Sequence, residues 1–358
     1  MQDPTTMEPA PEREFFVQIS VTNRCNLSCR HCYRDVRTAF PDEYSTEELI
    51  GILHQVRDLA ARLGREPNVL FSGGEPLSRP DLGLLVKVAQ SLGIVTHLNT
   101  NGTLITPEMA AALKAWGILG VQVSLDGPTP ETHDRIRGRG NFERALTGVR
   151  NLRAEGIEVM FKVTLMPGVN DTAIAPFYAL ANHEGVRVLS FARLIAIGPG
   201  ARLRQLTGAE YRAALDAIAQ EAAQSPFTRT EIRDAGFDRA FSLSYPHIFH
   251  SEEGISFMAL DADGTAYAGR RTPIVIGNVR ETSLEAVWAH PVLEELRTRR
   301  ITGKCASCEL FEVCGGGSRA AAYGTTGDYM APDPHCWYEP GQGERLDAPD
   351  ALALPMVG

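Results

Sequence analysis

The chain has 358 residues, a formal net charge of −9, 44% hydrophobic and 22% charged residues. That length allows two domains, or one large barrel with an appendix, and the composition is that of an ordinary globular protein. The acidic balance and the lack of a long Lys/Arg run exclude the basic footprint of a nucleic-acid binder. No apolar run approaches the ~20 residues that cross a membrane, so no membrane partner is expected.

In chain order, residues 1–14 are acidic and Pro-rich, without the basic start and apolar stretch of a secretion signal. They read as a disordered lead on a cytoplasmic protein. Short apolar runs then alternate with amphipathic stretches. Strands are expected at 15–21, 69–71, 95–98, 120–124, 159–165 and 188–194, each followed by a helix. Ser45 with Glu48 is a capping box, and Thr106 before Pro107 pairs an N-cap with a Pro at the first helical position. Six βα units are too few for a closed eight-stranded barrel. A partial (β/α)6 TIM-like barrel over 15–225 is therefore expected, with its chemistry at the C-terminal strand ends. One more helix is expected over 207–223, then a linker over 226–250. Residues 251–340 change texture into short strands, an Asp263-Gly264 turn and a cysteine group, which reads as a smaller second domain. A mobile tail is expected over 341–358.

The seven cysteines fall into two groups, Cys25/Cys29/Cys32 and Cys305/Cys308/Cys314/Cys336. Such clustering suits metal sites in a reducing compartment better than a secreted disulfide framework. The first group has C-x3-C-x2-C spacing directly after the first strand. Three thiolates can hold three corners of a 4Fe–4S cubane and leave the fourth iron open to a small molecule. A zinc site with His31 as fourth ligand is the competing reading.

This loop resembles the signature of the radical S-adenosylmethionine (SAM) superfamily, and the resemblance extends over nearly the whole chain. Ser72-Gly73-Gly74-Glu75-Pro76 is similar to the family's second mark. It implies that Gly73, Gly74 and Glu75 bind the methionine amino group. By the same resemblance Asn101 lies near the adenosine, Ser124 contacts ribose or carboxylate, and Lys162 is a candidate for the methionine carboxylate. The bland alternatives are an Asx-Gly turn at Asn101-Gly102 and a solvated Lys162. The reaction implied is one-electron cleavage of SAM to a 5′-deoxyadenosyl radical that abstracts a hydrogen atom. No acid–base pair is needed for that step, so no catalytic side chain is assigned.

The second group, C-x2-C-x5-C with a distant Cys336, suits zinc or iron–sulfur by spacing alone. Its surroundings resemble the SPASM extension of radical SAM enzymes, which implies an auxiliary 4Fe–4S cluster held by Cys305, Cys308, Cys314 and Cys336. The chain departs from the full SPASM pattern at Ser318 and Gly269, where that pattern has cysteines, so the pattern's other auxiliary cluster is expected to be missing. The two groups use all seven cysteines and leave no thiol as a hydrogen donor. This reduced form is similar to haem-biosynthesis radical enzymes. A flavodoxin or ferredoxin-type electron donor is implied.

The expected substrate is a small carboxylated metabolite, a tetrapyrrole side chain or a sugar or nucleoside intermediate, with decarboxylation as one outcome. Lyase and oxidoreductase chemistry both fit. Arg193, Arg270 and Arg271 could hold its carboxylate, against a reading as surface charge. The alternative substrate is a ribosomal peptide to be crosslinked or epimerised. A third reading is a non-enzymatic electron carrier or zinc scaffold.

Overall fold

The computed structural model describes residues 14–34, 42–233, 248–250, 256–298 and 300–341. Six parallel strands form the barrel wall: β1 (Glu14–Thr22), β2 (Glu66–Gly73), β3 (Val95–Thr100), β4 (Gly120–Ser124), β5 (Glu158–Leu165) and β6 (Val188–Arg193). These correspond to the six expected strands. Helices α1 (Thr46–Leu63), α2 (Leu82–Ser91), α3 (Pro107–Trp116), α4 (Pro130–Arg137), α5 (Asn141–Ala154), α6 (Ile174–Glu184) and α7 (Gly208–Gln224) cover the outside. The capping box at Ser45 and Glu48 forms as expected, and Thr106 caps α3 through the Met109 amide.

The wall is longer than six strands. β7 (Arg229–Ile232) and β8 (Ile248–His250) add in parallel beyond β6, both inside the span expected to be linker. β9 (Phe257–Leu260) pairs in parallel with β1, and β10 (Thr265–Tyr267) and β11 (Val275–Asn278) follow it in antiparallel. The second domain's first strands thus continue the barrel sheet, in the order β11-β10-β9-β1-β2-β3-β4-β5-β6-β7-β8. The sheet stays open, as expected of a partial barrel. A four-residue strand such as Arg-Thr-Glu-Ile carries too little periodicity to be read, and a neighbouring strand creates it. The expected lead and tail lie outside the described residues, except Glu14 and Gly341, as do linker residues 234–247 and the start of the second domain.

Side chains alternate between two environments, as strand geometry requires. On β4 and β5, Val121, Val123, Val159, Phe161, Val163 and Leu165 are buried against the helices. Each buried side chain of this size contributes roughly 1.5–3 kcal/mol. Gln122, Ser124, Met160, Lys162 and Thr164 take the opposite face, towards the barrel lumen. The same strands therefore build an apolar outer core and a polar interior. Four short helices complete the C-terminal part: α8 (Leu284–Trp288), α9 (Pro291–Thr298), α10 (Phe311–Cys314) and α11 (Arg319–Thr326). Among the described residues no helix is long and apolar enough to cross a membrane.

Candidate active site

The first cysteine loop leaves β1 at Thr22 and is tied down along its length. Glu43 accepts from the Thr22 hydroxyl (2.9 Å) and the Asn23 amide (2.7 Å). At the exit, the buried Arg34 donates to Asn23 Oδ1 and Ser20 Oγ and pairs with Asp261 at 2.7 Å. In between, Asn26 bonds Thr103 and Asn101, and the Arg30 amide donates to the Ile136 carbonyl. Many long-range ties to one loop are what a preorganised site needs.

The Gly73-Gly74-Glu75 turn is part of this anchoring. The Gly74 amide donates to Thr22 O (2.8 Å) and the Glu75 amide to Arg24 O (2.7 Å). A Cβ on Gly74 would stand 2.2 Å from Arg24 O, and one on Gly73, whose φ is +140°, 2.2 Å from Thr22 O. The glycines admit the chain's own cysteine loop, a role the sequence reading did not foresee. Both turn amides are spent on that contact, so the turn's carbonyls are the groups suited to an ammonium. The Glu75 carboxylate is fully buried and accepts from the Thr100 hydroxyl and the Leu77 and Asn101 amides. Burial pushes it up to about 6 against those hydrogen bonds. It therefore joins the ends of β2 and β3, while the Asn101 side chain reaches Asn26 in the cysteine loop.

The three thiols are half-buried. Burial pushes Cys25 up to about 11 and raises Cys29 also. Thiols so placed ionise readily only when a metal or another cation compensates. Beside Cys29 stands the Arg137 guanidinium, 3.9 Å from its sulfur. Asp126, fully buried, holds Arg137 at 2.6 Å and His31 Nε2 at 3.0 Å. His31, the alternative zinc ligand, thus turns Nε2 to a carboxylate. Among the described residues no three His, Cys, Asp or Glu groups are close enough to hold a single ion. A cubane bonds each thiolate to a different iron and suits thiols that stand apart.

Ser124 and Lys162 are register partners on β4 and β5, facing the lumen. The Lys162 carbonyl accepts from the Leu125 amide at 2.9 Å, and Glu231 is the carboxylate that acts on its ammonium. Burial, with Arg233 and Arg271 nearby, pushes it down to about 7. Arg233, at the end of β7, donates to Ser190 Oγ and pairs with Glu231 at 3.2 Å. Asn99 Oδ1 and Gln122 Oε1 are buried without a partner among the described residues, which leaves acceptors for a polar ligand. Of the three arginines proposed for a substrate carboxylate, Arg270 reaches Asp261 and the Tyr33 hydroxyl beside the cysteine loop. Arg271 donates to the carbonyls of Arg193 and Arg233. Arg193 is a correction. It is fully buried in a two-point ion pair with Asp333 (3.0 and 2.8 Å) and lies over the Tyr211 ring, so its charge serves the fold. Arg233 and Arg137 were not singled out from sequence for any role. Nothing in a four-residue strand or an exposed-looking Arg-Gly pair announces a buried guanidinium.

The second cysteine group gathers around a turn at Gly303–Ser307, the end of α10 and the irregular segment at Cys336, whose amide donates to the Asp333 carbonyl. Burial raises Cys305, Cys336 and, up to about 12, Cys314, and mutual repulsion adds to each. Arg319 passes close to Cys305 and Cys314, and Lys304 holds the carbonyls of Cys336 and Tyr338. Ser318 caps α11 through the Ala321 amide and donates its own amide to Asp333. Gly269 accepts from the Thr272 amide at the turn beside Arg270.

An open, mostly parallel βα barrel that presents three loop thiols beside a Gly-Gly-Glu turn, and four more thiols in an appended unit, defines an iron–sulfur radical enzyme. The radical SAM superfamily profile matches residues 19–181, and an iron-sulfur cluster-binding (SPASM) domain matches residues 253–309. The chain is 31% identical to an AdoMet-dependent heme synthase of Methanosarcina barkeri, over 90% of this chain and 96% of that protein. It is 30% identical to a mycofactocin maturase of Mycolicibacterium smegmatis, over 88% and 81%. Its fold matches that of Streptococcus suis SuiB bound to S-adenosylmethionine with a TM-score of 0.70, at 18% identity over 91% and 78% of the two chains. The chain belongs to the radical SAM superfamily, in its SPASM-containing subgroup. It is an enzyme, and its cofactors are 4Fe–4S clusters and S-adenosylmethionine.

Proposed function

We propose that the enzyme acts on a tetrapyrrole that carries propionate side chains: a side-chain hydrogen atom is removed, and the side-chain radical then loses carbon dioxide and one electron to leave a vinyl group, the electron going to a one-electron acceptor, a role that an iron–sulfur cluster held by Cys305, Cys308, Cys314 and Cys336 would suit. The observation that carries this reading is the charge of the interior. Among the described residues, Arg34 and Arg270 gather at Asp261, and Lys162 and Arg233 gather at Glu231. Counted over these described residues, four buried cations meet two carboxylates, which favours a ligand with several carboxylates. When bound, the reduced cluster and S-adenosylmethionine supply the radical that takes the hydrogen atom. Cys25, Cys29 and Cys32 hold that cluster, and Cys305, Cys308, Cys314 and Cys336 hold the auxiliary one. The Gly73-Gly74-Glu75 turn offers carbonyls to the methionine ammonium, Lys162 offers its ammonium to the methionine carboxylate, and Asn101 and Ser124 line the adenosine side. Arg233, Arg270 and Arg271 hold the substrate's carboxylates and orient the C–H bond. A flavodoxin or ferredoxin-type donor in a reducing cytoplasm supplies the electron.

Anaerobic turnover of the reduced enzyme with propionate-bearing tetrapyrroles tests this, with 5′-deoxyadenosine and carbon dioxide measured together. Stoichiometric formation of both is expected. Likeness to the mycofactocin maturase supports a second reading, a peptide maturase. Turnover of a short precursor peptide, with no turnover of any tetrapyrrole, would establish that reading in place of the first.

A further inference from the structure

The geometry points to Arg137 as the residue that sets the reduction potential of the cluster proposed for Cys25, Cys29 and Cys32, an inference that rests on that ligand assignment. Arg137 ends α4, with only 11% of its side chain exposed. Its Nη1 is 3.9 Å from Cys29 Sγ, within donor reach of sulfur, and its Nη2 is 3.5 Å from His31 Nε2. Its distance to the cysteine loop is held from several sides. Asn141 donates to its carbonyl at 2.8 Å, and the Ile136 carbonyl beside it accepts from the Arg30 amide at 3.0 Å. Asp126 fixes the guanidinium at 2.6 Å and is itself fixed by the Thr164 amide and, through its carbonyl, by Asn170.

Reduction adds one negative charge to the cluster and its thiolates. A buried guanidinium against one of those sulfurs stabilises the reduced state more than the oxidised one, and hydrogen bonds to sulfur are a recognised control of cluster potential. Asp126 offsets part of the charge but cannot replace the N–H aimed at Cys29. A guanidinium stays charged across any working pH, and Asp126 pairs with this one at 2.6 Å. No comparable side-chain donor to the other two sulfurs of this loop is present among the described residues; Cys25 Sγ receives the Leu27 amide. Arg137 is thus a positioning residue for the electron, acting on the cluster through Cys29.

The test is a redox titration of the reconstituted, full-length enzyme followed by electron paramagnetic resonance, comparing the wild type with Arg137→Gln and Arg137→Lys. The two clusters are told apart because only one with an open iron changes its spectrum when S-adenosylmethionine is added. At the wild-type midpoint, Arg137→Gln should show a roughly tenfold lower ratio of reduced to oxidised SAM-responsive cluster, which is 59 mV for a one-electron couple. The auxiliary cluster should be unmoved, and Arg137→Lys should fall less. An unchanged midpoint at full iron content, or an equal shift in both clusters, would overturn the proposal. Should Arg137→Gln fail to take up its iron, Arg137→Lys decides: a lowered midpoint supports the proposal and an unchanged one rejects it. A wild type without any SAM-responsive signal would remove the ligand assignment itself, and this proposal with it.

Discussion

Lys162 is a cation kept where charge is disfavoured. Its folded pKa is lowered to about 7, whereas an unfolded lysine titrates near 10.4. Between those values the unfolded chain binds more protons, so stability rises with pH across that window. Lys162→Met should therefore stabilise the cluster-free protein at pH 6.5, by on the order of a few kcal/mol at most, and the advantage should shrink towards pH 10. Urea denaturation at the two pH values checks this, and a pH-independent difference would contradict it. Glu75 presents the opposite arrangement: a buried carboxylate raised to about 6, kept useful by three donors that join two strand ends. Both groups give up stability to shape a site, which is common where function is concentrated.

Single strands and turns carry the join between the two units. β9 extends the barrel sheet beside β1, and Arg193 at the end of β6 meets Asp333 three residues before Cys336. Burial alone would raise the Asp333 carboxyl, but Arg193 and the His335 amide hold it far below the usual carboxylate range. That stability is present above about pH 4 and is lost as pH falls below it. Breaking one side of a buried pair costs roughly 3–5 kcal/mol. Arg193→Met should show that loss in urea denaturation at pH 7, and the gap to wild type should narrow on acidification below about pH 4. A surface reading of Arg193 predicts a change within about 0.5 kcal/mol.

The whole molecule should carry two clusters, one on the loop that leaves β1 and one in the C-terminal unit. Two cubanes require about eight irons per chain. Iron and sulfide analysis after anaerobic reconstitution should return that value, and Cys305→Ala/Cys308→Ala should return about four with the SAM-responsive signal retained. About four irons and one zinc in the wild type would mean that the second set holds a single ion. The strong anchoring of the first loop, through Glu43, Arg34, Asn101 and the two glycines, predicts that its cluster survives loss of the other.

What the sequence determined by itself is local. Cysteine spacing, the Gly-Gly-Glu-Pro turn, the helix caps at Ser45 and Thr106 and the six main strands depend on near neighbours in the chain, and each leaves a readable pattern. They were enough for the reaction type and the barrel. The tertiary structure decided everything that depends on a partner far along the chain. It made strands of 229–232 and 248–250, because a strand of three or four residues exists only through its neighbour. It turned Arg193 from a ligand candidate into a buried ion pair, and it brought Arg137 to Cys29 across more than a hundred residues. It gave Gly73 and Gly74 their purpose by pressing the cysteine loop against them. Charge, burial and close backbone approach are properties of a place in the fold, and the order of residues along the chain does not record them.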